Sequence, residues 1–219
     1  MTRIVLVRHG QTAWNREVRF RGQADVELDE FGLKQAEATG RYIATRWPVV
    51  AVYASPMQRA MKTAEAIARA HGLNAQPLEG LLDISFGEWQ GLTPEEASER
   101  NPGLLRAWMD APHTVHFPGG ETLDIVRSRV VAALDELISR HDEQTVALAS
   151  HTVVNRVLLC AVLGLGNDHF WRLQQDTCCV NVIDAERDAG QGGQNVFTVV
   201  LLNDTSHLHD LADCSGPVE

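Results

Sequence analysis

The sequence predicts an α/β fold, a three-layer α/β/α sandwich around a largely parallel sheet. Three observations carry that expectation. Short β-branched or aliphatic runs recur along the chain, at Ile4 to Val7, Val49 to Tyr53, Thr145 to Ala149, Val180 to Ile183 and Val196 to Leu202, and read as strands. Between them lie stretches whose apolar residues repeat at helical spacing, and strands alternating with helices favour a parallel sheet covered on both faces. Finally, 219 residues with 44% hydrophobic and 22% charged side chains are enough for one good-sized core, with no biased segment to suggest disorder.

The elements follow in order. After the first strand, Phe31, Leu33, Ala36, Gly40 and Ile43 mark a helix face. Pro56 opens a second helix that runs through Ala60, Ala64, Ile67 and Ala68 to a stop at Gly72. A third spans Glu121 to His141, with Leu123, Val126, Val130, Ala133, Leu134, Leu137 and Ile138 as its buried stripe, and a fourth starts after His151 and ends near Gly164. The stretch 83–120 carries Trp89, Trp108, Pro94, Pro102, Pro112 and Pro118 and reads as an irregular insertion with short helices, placed as a lid on an active site. Gln191 to Gln194 suits a hairpin turn before the last strand. The expected organisation is a single domain over 1–208 and a frayed tail over 209–219.

A formal net charge of −10 argues against a sequence-independent hold on nucleic acid or an anionic membrane, because both need a basic face. No apolar run approaches the roughly 18 residues of a membrane span, and Thr2 to Val7 is too short for a secretion signal. Cys160, Cys178, Cys179 and Cys214 form no Cys-x-x-Cys pair and suit reduced thiols, so a cytoplasmic location is expected.

In open α/β sheets, ligands collect at the carboxyl ends of strands, so the residues just past each strand are the ones to question. Here they are Arg8-His9-Gly10, then Ser55-Pro56-Met57-Gln58-Arg59, then Ser150-His151-Thr152. Two histidines and two arginines therefore converge on one rim. An arginine fork bonds two phosphoryl oxygens at once, and two such forks neutralise a dianion while leaving phosphorus open to in-line attack. A neutral imidazole is a competent nucleophile toward phosphorus, and a second, protonated one adds donors where transition-state charge is carried. Gly10, without a Cβ, would let the backbone approach an oxyanion, and Thr12 and Asn15 lie where a short helix begins, whose free N–H groups favour an anion.

These segments, with Leu82 to Gly91 and Gly119-Gly120-Glu121-Thr122, resemble the signatures of the histidine phosphatase superfamily in its phosphoglycerate mutase-like branch, in the right order over nearly the whole chain. The resemblance implies a phosphoglycerate mutase-like fold and a phosphohistidine intermediate. His9 would be the phosphorylated nucleophile, Arg8, Arg59 and Asn15 the phosphate clamp, and His151 the second histidine, with Gly22, Gln23 and Thr152 also on the substrate side. The family's proton donor is a glutamate where this chain has Asp83, one methylene shorter, and Glu88 is the nearest substitute. Phosphoglycerate mutases carry a longer insertion between donor and second histidine, so hydrolysis is the expected fate of the phosphohistidine. Phosphoserine phosphatase-like or broad-specificity hydrolysis of a small phosphate ester leads, with mutase, α-ribazole phosphatase and a non-catalytic phosphate-binding module as alternatives.

No cofactor and no metal are expected, since His113 with His116 and His207 with His209 lack neighbouring ligands at recognised spacing. If the tail folds over the mouth, His207 would contact a substrate carboxylate. Trp14, Trp89 and Trp108 are candidate pocket walls. The sequence leaves a homodimer open.

Overall fold

The computed structural model describes residues 1–187 and 195–211. The turn expected at Gln191 to Gln194, Cys214 and the tail from residue 212 lie outside the described residues. The strands are β1 Thr2–Arg8, β2 Val49–Ala54, β3 Ala75–Pro77, β4 Thr145–Ser150, β5 Val180–Arg187 and β6 Asn195–Asp204. The α-helices are α1 Ala13–Arg16, α2 Glu30–Ala44, α3 Gln58–Ala70, α4 Pro94–Arg100, α5 Pro102–Asp110, α6 Leu123–Arg140 and α7 Thr152–Val162.

The strands form one sheet in the order β3-β2-β4-β1-β5-β6. The β3, β2, β4 and β1 strands pair in parallel, and β5 and β6 add an antiparallel edge beside β1. Because side chains alternate across a strand, each buried strand feeds two cores. Ile4, Leu6, Tyr53, Val146 and Leu148 pack toward α6 and α7, whereas Val5, Val7, Val52, Ala54, Ala147 and Ala149 pack toward α2 and α3. This is the three-layer arrangement that the alternating pattern predicts.

Three local readings change. Pro56 does not open α3: Met57 is the extended residue before it and the helix starts at Gln58. The segment after Gly72 holds an edge strand, β3, whose three residues Ala75, Gln76 and Pro77 show no apolar alternation to betray it. The insertion over 83–120 contains two ordered helices with side-chain caps. Thr93 accepts from the Glu96 N–H at 3.2 Å, and Asn101 accepts from the Leu104 N–H at 3.0 Å.

Register positions the functional rim. Arg8 sits beside Ser150, and Ala54 beside Ala149, so the three parallel strands end at one level. The His9 N–H donates to the Ser150 carbonyl at 2.9 Å, which carries the pairing one residue further and brings His9 next to His151.

Candidate active site

The imidazoles of His9 and His151 lie with ring centroids 5.2 Å apart, both buried. His9 Nδ1 is 2.7 Å from the Gly10 carbonyl oxygen. A carbonyl can only accept, so Nδ1 carries the hydrogen and Nε2 carries the lone pair. Burial, reinforced by the Arg59, Arg8 and Arg21 charges, holds the His9 pKa well below the ordinary histidine value. The ring is therefore neutral at physiological pH, which a nucleophile requires.

Burial, Arg59 and then His9 likewise push the His151 pKa well down. In this surrounding its charged form is disfavoured, so the protonated state that would add donors to a phosphoryl group depends on the charge of a bound dianion. Neither of its ring nitrogens has a hydrogen-bond partner, and Nδ1 lies 3.5 Å from Asp83 Oδ2.

Arg59 is fully buried. Its Nη2 donates to Asp83 Oδ2 at 3.0 Å and to the Gly22 carbonyl at 2.7 Å, and its Nη1 donates to the Ala24 carbonyl at 2.8 Å. Arg8 donates from Nη1 to the Gln175 carbonyl at 2.6 Å. The Nε atoms of Arg8 and Arg59 and the Thr152 hydroxyl are buried without a partner, an unusual concentration of polar groups that calls for a polar ligand.

Asp83 is 6% exposed and its carboxyl is raised above the ordinary aspartate range, because burial outweighs the opposing Arg59 and Arg21 charges. Its carbonyl is braced by Gln23 Nε2 at 3.1 Å and Arg129 Nη2 at 3.2 Å. Glu88, the alternative donor, is exposed and does not line the cavity.

These groups close the inner end of a cavity of about 580 Å³. Arg8, His9, Asn15, Gly22, Asp83 and Thr152 line it directly, while Arg59 and His151 stand immediately behind Asp83 and His9. Gly22 has φ +47°, a left-handed conformation that glycine adopts freely, and this turn aims its carbonyl at Arg59.

Several sequence readings are corrected at this point. Gly10 does not line the cavity, and a Cβ there would stand 2.5 Å from the Gly32 carbonyl oxygen. Glycine is needed for packing against the start of α2, and the contribution of Gly10 to chemistry is the carbonyl that sets the His9 tautomer. The Thr12 N–H and hydroxyl both donate to Asn15 Oδ1 at 2.9 Å, so the start of α1 is already capped and only Asn15 of the pair reaches the cavity. Gln23 is a brace for Asp83, not a lining residue.

His207 does not line the cavity: it stacks on Tyr42 at 4.5 Å with Nε2 2.9 Å from Thr39 Oγ1. Of the three tryptophans, Trp108 lines the cavity. Trp89 is buried against Phe20 and Phe117, and Trp14 contributes only its carbonyl, to Arg21. Among the described residues no group of three or more His, Cys, Asp or Glu gathers to hold a metal. No described helix is long and apolar enough to cross a membrane.

The structure also brings in residues that the sequence reading missed. Arg21 lines the inner end, its pKa pushed down to about 9 by burial and then by Arg8, so a third guanidinium faces the same space. The outer wall is aromatic, with Phe20, Phe86, Trp108, Phe170 and Trp171, joined by Arg156, Gln174 and Asp176. A helical signal for Arg156 was available: it follows Thr152 by four residues on α7 and so shares its face.

The model of the histidine phosphatase superfamily (branch 1) matches residues 4–196. The chain is 37% identical over 208 residues to phosphoserine phosphatase 1 of Hydrogenobacter thermophilus, covering 95% of both chains. It is 34% identical over 210 residues to the metal-independent phosphoserine phosphatase of Arabidopsis thaliana, covering 95% of this chain and 84% of that one. The solved structure of Bacillus stearothermophilus YhfR is similar with a TM-score of 0.87 at 30% identity, over 95% of this chain and 100% of that one. With a match over most of its length and the histidine and arginine rim assembled at the ends of β1, β2 and β4, the chain belongs to the histidine phosphatase superfamily, branch 1.

Proposed function

We propose that this chain is a phosphomonoester hydrolase that passes the phosphoryl group of a small metabolite to Nε2 of His9 and then to water. The observation that carries the reading is the His9 ring, fixed by its 2.7 Å contact with the Gly10 carbonyl so that a neutral nitrogen lone pair faces a space ringed by guanidinium groups. In-line attack by Nε2 forms the N–P bond and breaks the P–O ester bond. Arg8 and Arg21 at the cavity surface and Arg59 behind it spread the charge on the phosphoryl oxygens. The departing alkoxide needs a proton, and Asp83, raised by burial, is the group placed to hold one. A bound dianion draws on the same Arg59 guanidinium that restrains Asp83, which favours the protonated acid when substrate is present. In the second half, the Asp83 carboxylate takes a proton from the water that cleaves the phosphohistidine.

Phe86, Pro94 and Trp108 bring the segment 83–120 over the cavity mouth, which supports reading it as a lid within one domain over 1–208. The buried free thiols of Cys160, Cys178 and Cys179, the latter two pushed up to about 12 by burial, accord with a cytoplasmic setting. The names of the two curated relatives support phosphoserine as the first substrate to try. The test is a panel of phosphoserine, 3-phosphoglycerate, α-ribazole phosphate, sugar phosphates and nucleoside monophosphates, run with a chelator present and compared by kcat/KM. Phosphate release without isomerisation is expected, and 2-phosphoglycerate formed from 3-phosphoglycerate without matching phosphate release would replace hydrolase with mutase.

A further inference from the structure

Beyond the phosphoryl end, the outer wall carries two groups of opposite charge that form no salt bridge or hydrogen bond with each other and take no part in the chemistry. Arg156 is anchored by its Nε, which donates to the Leu173 carbonyl at 2.7 Å. Its guanidinium lies 4.8 Å from the Trp171 ring centroid and 5.2 Å from that of Phe170, so the plane is held and both Nη groups stay free of any carboxylate among the described residues. Asp176 is positioned by neutral amides instead of a cation: Gln174 Nε2 donates to its two oxygens at 3.0 and 2.9 Å, and Asn203 Nδ2 donates to Oδ2 at 2.7 Å. Both residues line the cavity that ends at His9.

An unpaired cation and an unpaired anion, each fixed in place on one wall, match a ligand that carries both charges. We propose that Arg156 binds a carboxylate and Asp176 an ammonium of the substrate, so that the outer wall selects the zwitterionic head of an amino-acid phosphate. This rests on the phosphatase reading and adds to it the residues that choose the substrate. A structural role does not account for the pair, because fixing a loop or helix needs no half-buried opposite charges kept apart on a cavity wall.

The test uses four alkyl phosphates that differ only in these groups: phosphoserine, 3-phosphooxypropanoate without the ammonium, phosphoethanolamine without the carboxylate, and ethyl phosphate with neither. Arg156→Gln should lower kcat/KM for the two carboxylates by roughly 10- to 100-fold, the range for losing a charged hydrogen bond, and for the other two far less. Asp176→Asn should remove the preference for the two ammonium compounds. Arg156→Lys keeps the charge without the planar fork and should retain part of the carboxylate preference, which separates lost recognition from lost folding. Equal loss on all four substrates, or no loss, overturns the assignment. If the wild-type protein hydrolyses none of the four and none of the wider panel, the phosphatase reading itself fails, whereas hydrolysis of the panel with no preference for the zwitterion removes only the pair.

Discussion

At the inner end of the cavity, His9 is held by backbone contacts at the end of β1, its N–H to Ser150 and its Nδ1 to Gly10, and Asp83 is held by the Gln23 and Arg129 side chains on its carbonyl. At the outer end, Trp108 comes from α5, Phe170 and Trp171 from a short 3₁₀ segment, and Arg156 from the first turns of α7. His9 moves only if strand register moves and Asp83 is locked by a buried ion pair with Arg59, whereas the outer groups can change without disturbing the core. Chemistry is therefore tied to the sheet and substrate choice to the segments around it, which predicts that inner substitutions harm every substrate and outer ones harm some.

The sharpest way to break that division is His9→Ala. Removing the nucleophile should lower turnover on all phosphate esters by a factor on the order of 10⁴ or more, with the chain still folded. A His9→Ala protein with near wild-type rates would contradict the placement of chemistry at the inner end.

Asp83→Asn comes next and divides substrates by leaving group. An alkoxide departs badly without a proton, so hydrolysis of an alkyl phosphate should slow by about 10²–10⁴-fold, while p-nitrophenyl phosphate, whose leaving group needs no proton, should slow far less. The pH profile sharpens the same point. His9 must be neutral and its pKa is lowered, so the acid limb of kcat/KM should fall below the usual histidine range. Asp83 must be protonated and its pKa is raised, so activity should extend above the usual carboxylate range before declining, and Asp83→Asn should abolish that alkaline limb. Glu88→Gln, at an exposed position outside the cavity, should leave both limbs in place.

The smallest effect is expected far from both ends. His207→Ala should keep kcat/KM within about twofold and lower stability by about 1 kcal/mol, through loss of the Thr39 contact and the Tyr42 stack. Burial pushes the His207 pKa down to about 4, so the unfolded chain takes up the proton first. The native protein should accordingly lose a modest part of its stability between about pH 6.5 and 4, and the alanine variant should lack that loss, as read from urea midpoints across the range.

The same division explains what could be read in the sequence. Arg8-His9-Gly10 and Ser150-His151-Thr152 each follow a run of aliphatic residues, and a strand end announces itself locally, so these parts of the inner end were legible, whereas Arg21, which lies in a turn between elements, was not. Gly10 was placed correctly but given the wrong task, because the carbonyl of Gly32 that forbids a side chain there is brought in from another element. Asp176 and the aromatic wall depend on how loops and helix faces meet, which no single stretch encodes. His207 was left open by its place near the end of the chain, and packing on α2 decides its position.

The central claim is tested most directly by quenching the enzyme into alkali within milliseconds of mixing it with phosphoserine and mapping the acid-labile phosphoryl group. The account predicts phosphate on Nε2 of His9, because Nδ1 is committed to the Gly10 carbonyl. A phosphoryl group on Nδ1 or on any other residue, or none at any quench time while substrate is consumed, would contradict it.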